Sequence, residues 1–220
     1  MNSNITVSGV NSIVVNGTPI QELIEGGKFF EEIISINDLV GGGSARPIQE
    51  RIAVAEAIAL GFCDHGITPP STTNARISAS CGCSVSNAYI SAFATVGVKH
   101  APVESCCKFL LDAERNGIEV AMSNVGKIKP GFGHPVHLND PRVAPLLAKS
   151  RRGTFVEIAQ SVEVKIGHKM NYAGAVAAVA LDNGLLPEYA FMLMMVGRLI
   201  GITGHIVEQR KAGKMILNEE

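Results

Sequence analysis

The spacing of apolar residues changes period once along this chain, and early. Ile5-Thr-Val and Ile13-Val-Val are short β-branched runs separated by Ser8-Gly-Val-Asn-Ser12, which predicts a hairpin over 4–16 ending at Asn16-Gly17. From Pro19 onward the period is helical. Short amphipathic helices are predicted over 19–25 and 29–36, broken by Gly26-Gly27. Further helices are predicted over 47–62, 72–81, 84–96, 102–116, 141–151, 154–166, 173–183 and 187–212. Most begin at Pro, Ser, Thr or Asp and stop near Gly or Asn. The stretch 173–181 is apolar on every face, so it belongs inside a bundle. The class is all-α with a small N-terminal β piece. Gly41-Gly-Gly43-Ser44 lacks the Gly-Lys-Ser/Thr ending of a phosphate-binding loop and reads as a linker.

Composition narrows the function classes. With 220 residues the chain has ample length for one core. A net charge of −1, no Trp and 5% aromatics give no basis for binding nucleic acid or an anionic membrane. The N-terminus has no basic and apolar segments of an export signal, so a cytoplasmic location is expected. The uncharged run 77–98 is long enough to span a bilayer, but its five serines suit a buried interhelical position better. Five cysteines, Cys63, Cys81, Cys83, Cys106 and Cys107, lack the spacing of a zinc site and read as reduced, small hydrophobes. No metal is expected.

The candidate chemistry concentrates in Gly131-Phe-Gly-His-Pro-Val-His-Leu-Asn-Asp-Pro-Arg142. Gly131 and Gly133 let the backbone turn and approach a ligand. His134 then brings a titratable ring. Asp140-Pro141 reads as a helix cap followed by proline, placing Arg142 in a first turn. A proton-transfer group beside a guanidinium suits a substrate with a reacting oxygen and a carboxylate. A surface arginine and an accidental pair of histidines fit the spacing as well. His100 precedes Ala101-Pro102, just outside a helix start, where local N–H groups favour a neutral ring. Arg198, His205 and Gln209 share one helical stripe, compatible with a site or with a solvated face. His65 stands at a helix end, where a histidine is often structural.

Four collinear segments carry a resemblance to the citrate synthase superfamily: Cys63-Asp-His-Gly66 with Asn74-Ala-Arg76; Val96-Gly-Val-Lys-His100; Gly131–Arg142; and Gly197-Arg-Leu-Ile-Gly201 through Gly204-His-Ile-Val-Glu-Gln-Arg210. In length the chain is most similar to compact citryl-CoA lyases and the lyase module of ATP-citrate lyase. The resemblance implies a helical bundle of two lobes: a large one from 1–101 and 167–220, and a smaller, mobile one from 102–166 with Gly97 and Gly167 near its hinges. It implies that His134 moves the hydroxyl proton and His100 donates to the thioester oxygen. It also implies that His65, Arg142 and Arg198 bind carboxylate, with Gly131, Gly133 and Asn171 near the coenzyme A thioester. A homo-oligomer is implied, with an acyl-CoA and a carboxylate as small-molecule partners.

One position departs from the family. Where its members carry the aspartate that moves the proton at carbon, this chain reads Asn171-Tyr-Ala173-Gly174. Asp182, nine residues along the helix, faces away. Tyr172 is a poor base. The expected function is an acyl-CoA carbon–carbon lyase that splits a 3-hydroxyacyl-CoA into acetyl-CoA and an oxo acid. The alternatives are a catalytically silent CoA- or carboxylate-binding homologue and a thioester hydrolase.

Overall fold

The structure, a computed structural model, describes residues 3–133 and 138–216. His134 lies outside the described residues. At the N-terminus β1 (Thr6–Gly9) and β2 (Ser12–Val15) pair antiparallel, with Thr6 opposite Val15. Asn16 and Gly17 then turn with φ of 48° and 80°. Two left-handed residues make the tight connection that matches strand twist. A third strand, β3 (Thr18–Pro19), therefore folds back on β2 where the sequence reading ended the sheet.

The helices are α1 (Ile20–Gly26), α2 (Phe29–Leu39), α3 (Ile48–Gly61), α4 (Pro70–Ser80), α5 (Val85–Phe93), α6 (Val103–Asn116), α7 (Ile118–Asn124), α8 (Val143–Leu147), α9 (Thr154–Ile166), α10 (Tyr172–Asp182) and α11 (Pro187–Ala212). Two departures from expectation have local causes. Helix α6 stops at Gly117, φ 91°, and the chain restarts as α7, which the apolar pattern did not separate. Helix α8 is five residues long and not the eleven of 141–151. Its downstream end is drawn out of helix by α3: Glu50 accepts from the Arg151 N–H at 2.9 Å and from Arg46 Nη1 at 2.6 Å.

Helix α10 runs through the centre, buried at every residue from Tyr172 to Ala180. Helices α3, α6, α8, α9 and α11 pack around it. One continuous core thus includes residues of both expected lobes. A smaller cluster, built from Ala75, Ala79, Ala88 and Ala92, lets α4 and α5 pack closely on Ile202 and Ile206 of α11. The uncharged run 77–98 is divided between α4 and α5, with Ser84 capping α5 through the Asn87 N–H at 3.1 Å. Helix α11 is long and apolar enough to cross a membrane by length and composition. Here it packs against α3, α4 and α6.

Two glycine contacts bring the walls of the site together. A Cβ at Gly197 would collide with the Ala59 carbonyl, and one at Gly201 with the Cys63 carbonyl, so the end of α3 lies directly on α11. Gly131, φ 86°, meets α10 the same way: a Cβ there would stand 2.7 Å from the Gly174 Cα.

Candidate active site

A cleft of ≈ 570 Å3 opens where these contacts converge. His65, His100, Arg142, Arg198, Gly131, Gly133, Asn171 and Ala173 all line it. The predicted catalytic, substrate-binding and cofactor-binding residues within the described segments therefore meet in one place, while His205 and Gln209 of the α11 stripe do not line it.

His100 sits in the turn before α6, with Nε2 3.0 Å from Ser71 Oγ of α4. Burial, then the Arg198 cation, then His65, pull its pKa down to about 4. The ring is neutral at pH 7, as the sequence suggested, but burial is the main cause and the helix start is not. Ala101 follows with φ 52°, a left-handed conformation that costs an L-residue about 1 kcal/mol. Ser71, fully buried, was not identified from sequence. Position 71 carries no local signal that a histidine 29 residues later will reach it.

The Asp140–Arg142 turn is more elaborate than a cap. Arg142 grips Asp140 with two parallel bonds, Nε to Oδ1 at 2.9 Å and Nη2 to Oδ2 at 2.8 Å. The same carboxylate accepts the Arg142 N–H at 3.1 Å and the Tyr172 N–H at 3.1 Å. Arg142 is consequently the residue before α8, and the expected placement in its first turn is corrected: Asp140 joins this turn to the start of α10. Burial would raise the Asp140 carboxyl. The bonds from Arg142, its charge and the Tyr172 N–H outweigh that and bring it to about 2. Arg142 also donates Nη1 to the Gly61 carbonyl at 3.2 Å and lies 4.7 Å over the Tyr172 ring.

Arg198 differs. It is 4% exposed, and its Nη1 has no hydrogen-bond partner among the described residues. Its guanidinium stands 5.9 Å from the centre of the Phe62 ring. Burial and then the Arg142 cation weaken its hold on its proton, with Asp64 and Cys63 opposing. A buried guanidinium with an unfilled donor is costly unless an anion joins it. His65 lies beyond the end of α3, in a turn rather than at the helix end itself.

At the start of α10, Asn171 caps the helix by accepting the Gly174 N–H at 3.2 Å. Its Nδ2 donates to the Gly133 carbonyl at 2.8 Å, and its own N–H to the Gly131 carbonyl at 2.9 Å. Asn171 and Gly131 thus hold the 131–133 segment on α10 as well as lining the cleft. Ala173 follows, 7% exposed. Tyr172 is no substitute base. Its hydroxyl donates to the Ala57 carbonyl at 2.7 Å, and burial raises its pKa well above the ordinary phenol. Asp182 stands at the far end of α10, accepting the Phe155 and Val156 N–H groups at 2.9 and 3.1 Å at the start of α9. Asp140 is the only carboxylate among the described residues that line the cleft. Gln209 of the α11 stripe accepts from Arg76 at 2.9 Å, while Arg210 donates to the Cys83 carbonyl at 2.6 Å. Among the described residues no group of three His, Cys, Asp or Glu is placed to hold a metal ion.

A helical bundle with a neutral histidine and two arginines around one central helix start defines a class of protein whose cleft suits an anionic ligand. The family follows from comparison. The model of the citrate synthase C-terminal domain matches residues 37–217, and the chain belongs to the citrate synthase family. The fold is similar to citryl-CoA lyase from Hydrogenobacter thermophilus, with TM-score 0.81 and 24% identity over 100% of this chain and 91% of that one. It is also similar to an aspartate-to-alanine mutant of Methanosaeta concilii ATP citrate lyase in complex with (3S)-citryl-CoA, with TM-score 0.80 and 17% identity. There it covers 100% of this chain but 40% of the other. Citrate synthase from Thermotoga maritima is more distant, with TM-score 0.58 and 15% identity over 100% and 92% of the two chains. Comparison with curated protein sequences returns no match.

Proposed function

We propose that this protein is an acyl-CoA carbon–carbon lyase of the citryl-CoA lyase type, acting on a 3-hydroxyacyl-CoA that bears a carboxylate. The observation that carries the reading is Arg198, a buried guanidinium with a donor that has no partner among the described residues, in the same cleft as neutral His100. By the family resemblance, His134 takes the hydroxyl proton. The carbon–carbon electron pair then moves to the acyl α-carbon and into the thioester, whose oxygen receives a hydrogen bond from His100. The departing oxo acid keeps its carboxylate on Arg198 and His65, beside the Arg142–Asp140 pair. The enolate is protonated at carbon by water, because Ala173 supplies no acid. The 102–166 segment closes over the bound thioester, and the active form is a cytoplasmic homo-oligomer.

The methyl group of Ala173, with Asp140 already engaged by Arg142, favours a second reading: a homologue that binds CoA and carboxylate without turnover. Incubation with (3S)-citryl-CoA separates the two. The lyase reading expects acetyl-CoA and oxaloacetate in equal amounts, and a rate about 100-fold higher in Ala173→Asp, since one positioned acid/base contributes that order. The added carboxylate would also suit the positive start of α10. Free CoA without oxaloacetate would indicate a hydrolase. Binding of CoA and citrate without turnover, in wild type and Ala173→Asp alike, would leave the silent homologue.

A further inference from the structure

His205 does not line the cleft, yet its side chain is only 14% exposed and both ring nitrogens are engaged. Nε2 lies 3.1 Å from Asp64 Oδ1, and Nδ1 lies 3.2 Å from Glu208 Oε2. Asp64 in turn organises the turn that carries His65. Its carboxylate accepts the Gly66 N–H at 3.2 Å and the His65 N–H. Burial would raise the Asp64 carboxyl, but the bonds from His205 and these two N–H groups hold it below the ordinary aspartate value.

The same turn is held one helical turn earlier on α11. The Gly201 N–H donates to the Cys63 carbonyl at 2.8 Å, and a Cβ at Gly201 would stand 2.8 Å from Asp64 Oδ1. Residues 198, 201 and 205 share one face of α11. Arg198 reaches the cleft, Gly201 receives the 63–66 backbone, and His205 anchors its carboxylate.

We infer that His205 is a positioning residue: through Asp64 it sets His65 at a fixed place relative to Arg198, so that both meet one carboxylate of the ligand. This rests on the reading of the cleft as a carboxylate site. It assigns a task to the histidine of the late helix that the proposed chemistry leaves unused. Because Arg198 and the anchor for His65 belong to one continuous helix, the distance between the two is built into α11.

The test compares wild type, His205→Ala and His205→Gln as full chains. Calorimetric titrations with citrate and, separately, with CoA are paired with NMR of 15N-labelled histidine rings in the ligand-free protein. His205→Ala is expected to weaken citrate binding by about 10-fold, the order of one hydrogen bond to a charged group lost at the ligand. CoA affinity should stay within about twofold, and the His65 ring signals should move while those of His100 stay. His205→Gln, whose amide can still donate to Asp64, should restore most of the citrate affinity. Unchanged citrate affinity with unchanged His65 signals would overturn the inference. So would a parallel loss of citrate and CoA affinity with a lowered unfolding temperature in both variants. If wild type binds no citrate, the carboxylate reading fails. The ring signals, which need no ligand, then decide by themselves whether His205 sets His65.

Discussion

Arg142 and Arg198 line the same cleft, but the protein completes one and leaves the other open. Arg142 is held by both oxygens of Asp140, by the Gly61 carbonyl and by the Tyr172 ring, at 2.8–3.2 Å for the hydrogen bonds. Arg198 is more deeply buried, stands near an aromatic ring, and has a donor without a partner among the described residues. The first arrangement is structural, joining the 131–142 segment to α10. The second has electrostatic energy available to an incoming anion. A guanidinium already satisfied by its own chain gains little from a ligand, whereas an unsatisfied one gains the whole interaction.

Removing the partner of the satisfied arginine should have the largest effect. Asp140→Ala leaves Arg142 without its carboxylate and two N–H groups without an acceptor. A loss of about 3–5 kcal/mol in unfolding free energy is expected from urea titration. The converse substitution, Arg198→Met, removes a buried charge whose Nη1 has no partner among the described residues, so stability should hold or rise while citrate affinity falls about 100-fold. If Arg198→Met destabilised the fold as much as Asp140→Ala, the contrast between the two arginines would disappear.

The pH dependence sharpens the comparison on the histidine side. His100 has a folded pKa of about 4 against an ordinary value of 6.5. Below 6.5 the unfolded chain takes up a proton that the fold refuses, so stability is full above 6.5 and declines as pH falls toward 4. Asp140, at about 2 against 3.8, adds a second decline below 3.8 as its carboxylate protonates in the unfolded chain first. Urea titrations at successive pH values should show both phases, and His100→Gln should remove the first alone. The smallest effect is at Ala101. Ala101→Gly relieves the left-handed φ of 52° and should stabilise by about 0.5 kcal/mol, less if the lost methyl contact matters. A destabilising Ala101→Gly would mean that this methyl packs better than its backbone suggests.

Much of this molecule is local and was legible as such. The Asn16-Gly17 turn, the helix starts at Pro and Ser, and the burial of 173–180 follow from backbone sterics and from a 3.6-residue period that leaves α10 no polar face. The candidate segment 131–142 announced itself through glycines and an Asp-Pro pair. The partners of its residues did not. Ser71 meets His100 across 29 residues, and Asp64 meets His205 across 141. Which helix faces meet is settled by close backbone approaches, Gly197 against Ala59 and Gly131 against Gly174, and a lone glycine in a sequence does not name its opposite number. The chain's periodicity therefore determined the elements and the buried central helix. Tertiary packing alone decided that Asp140 would complete one arginine, that the other would remain open, and that burial would keep His100 neutral, because each depends on distances between segments that no local pattern encodes.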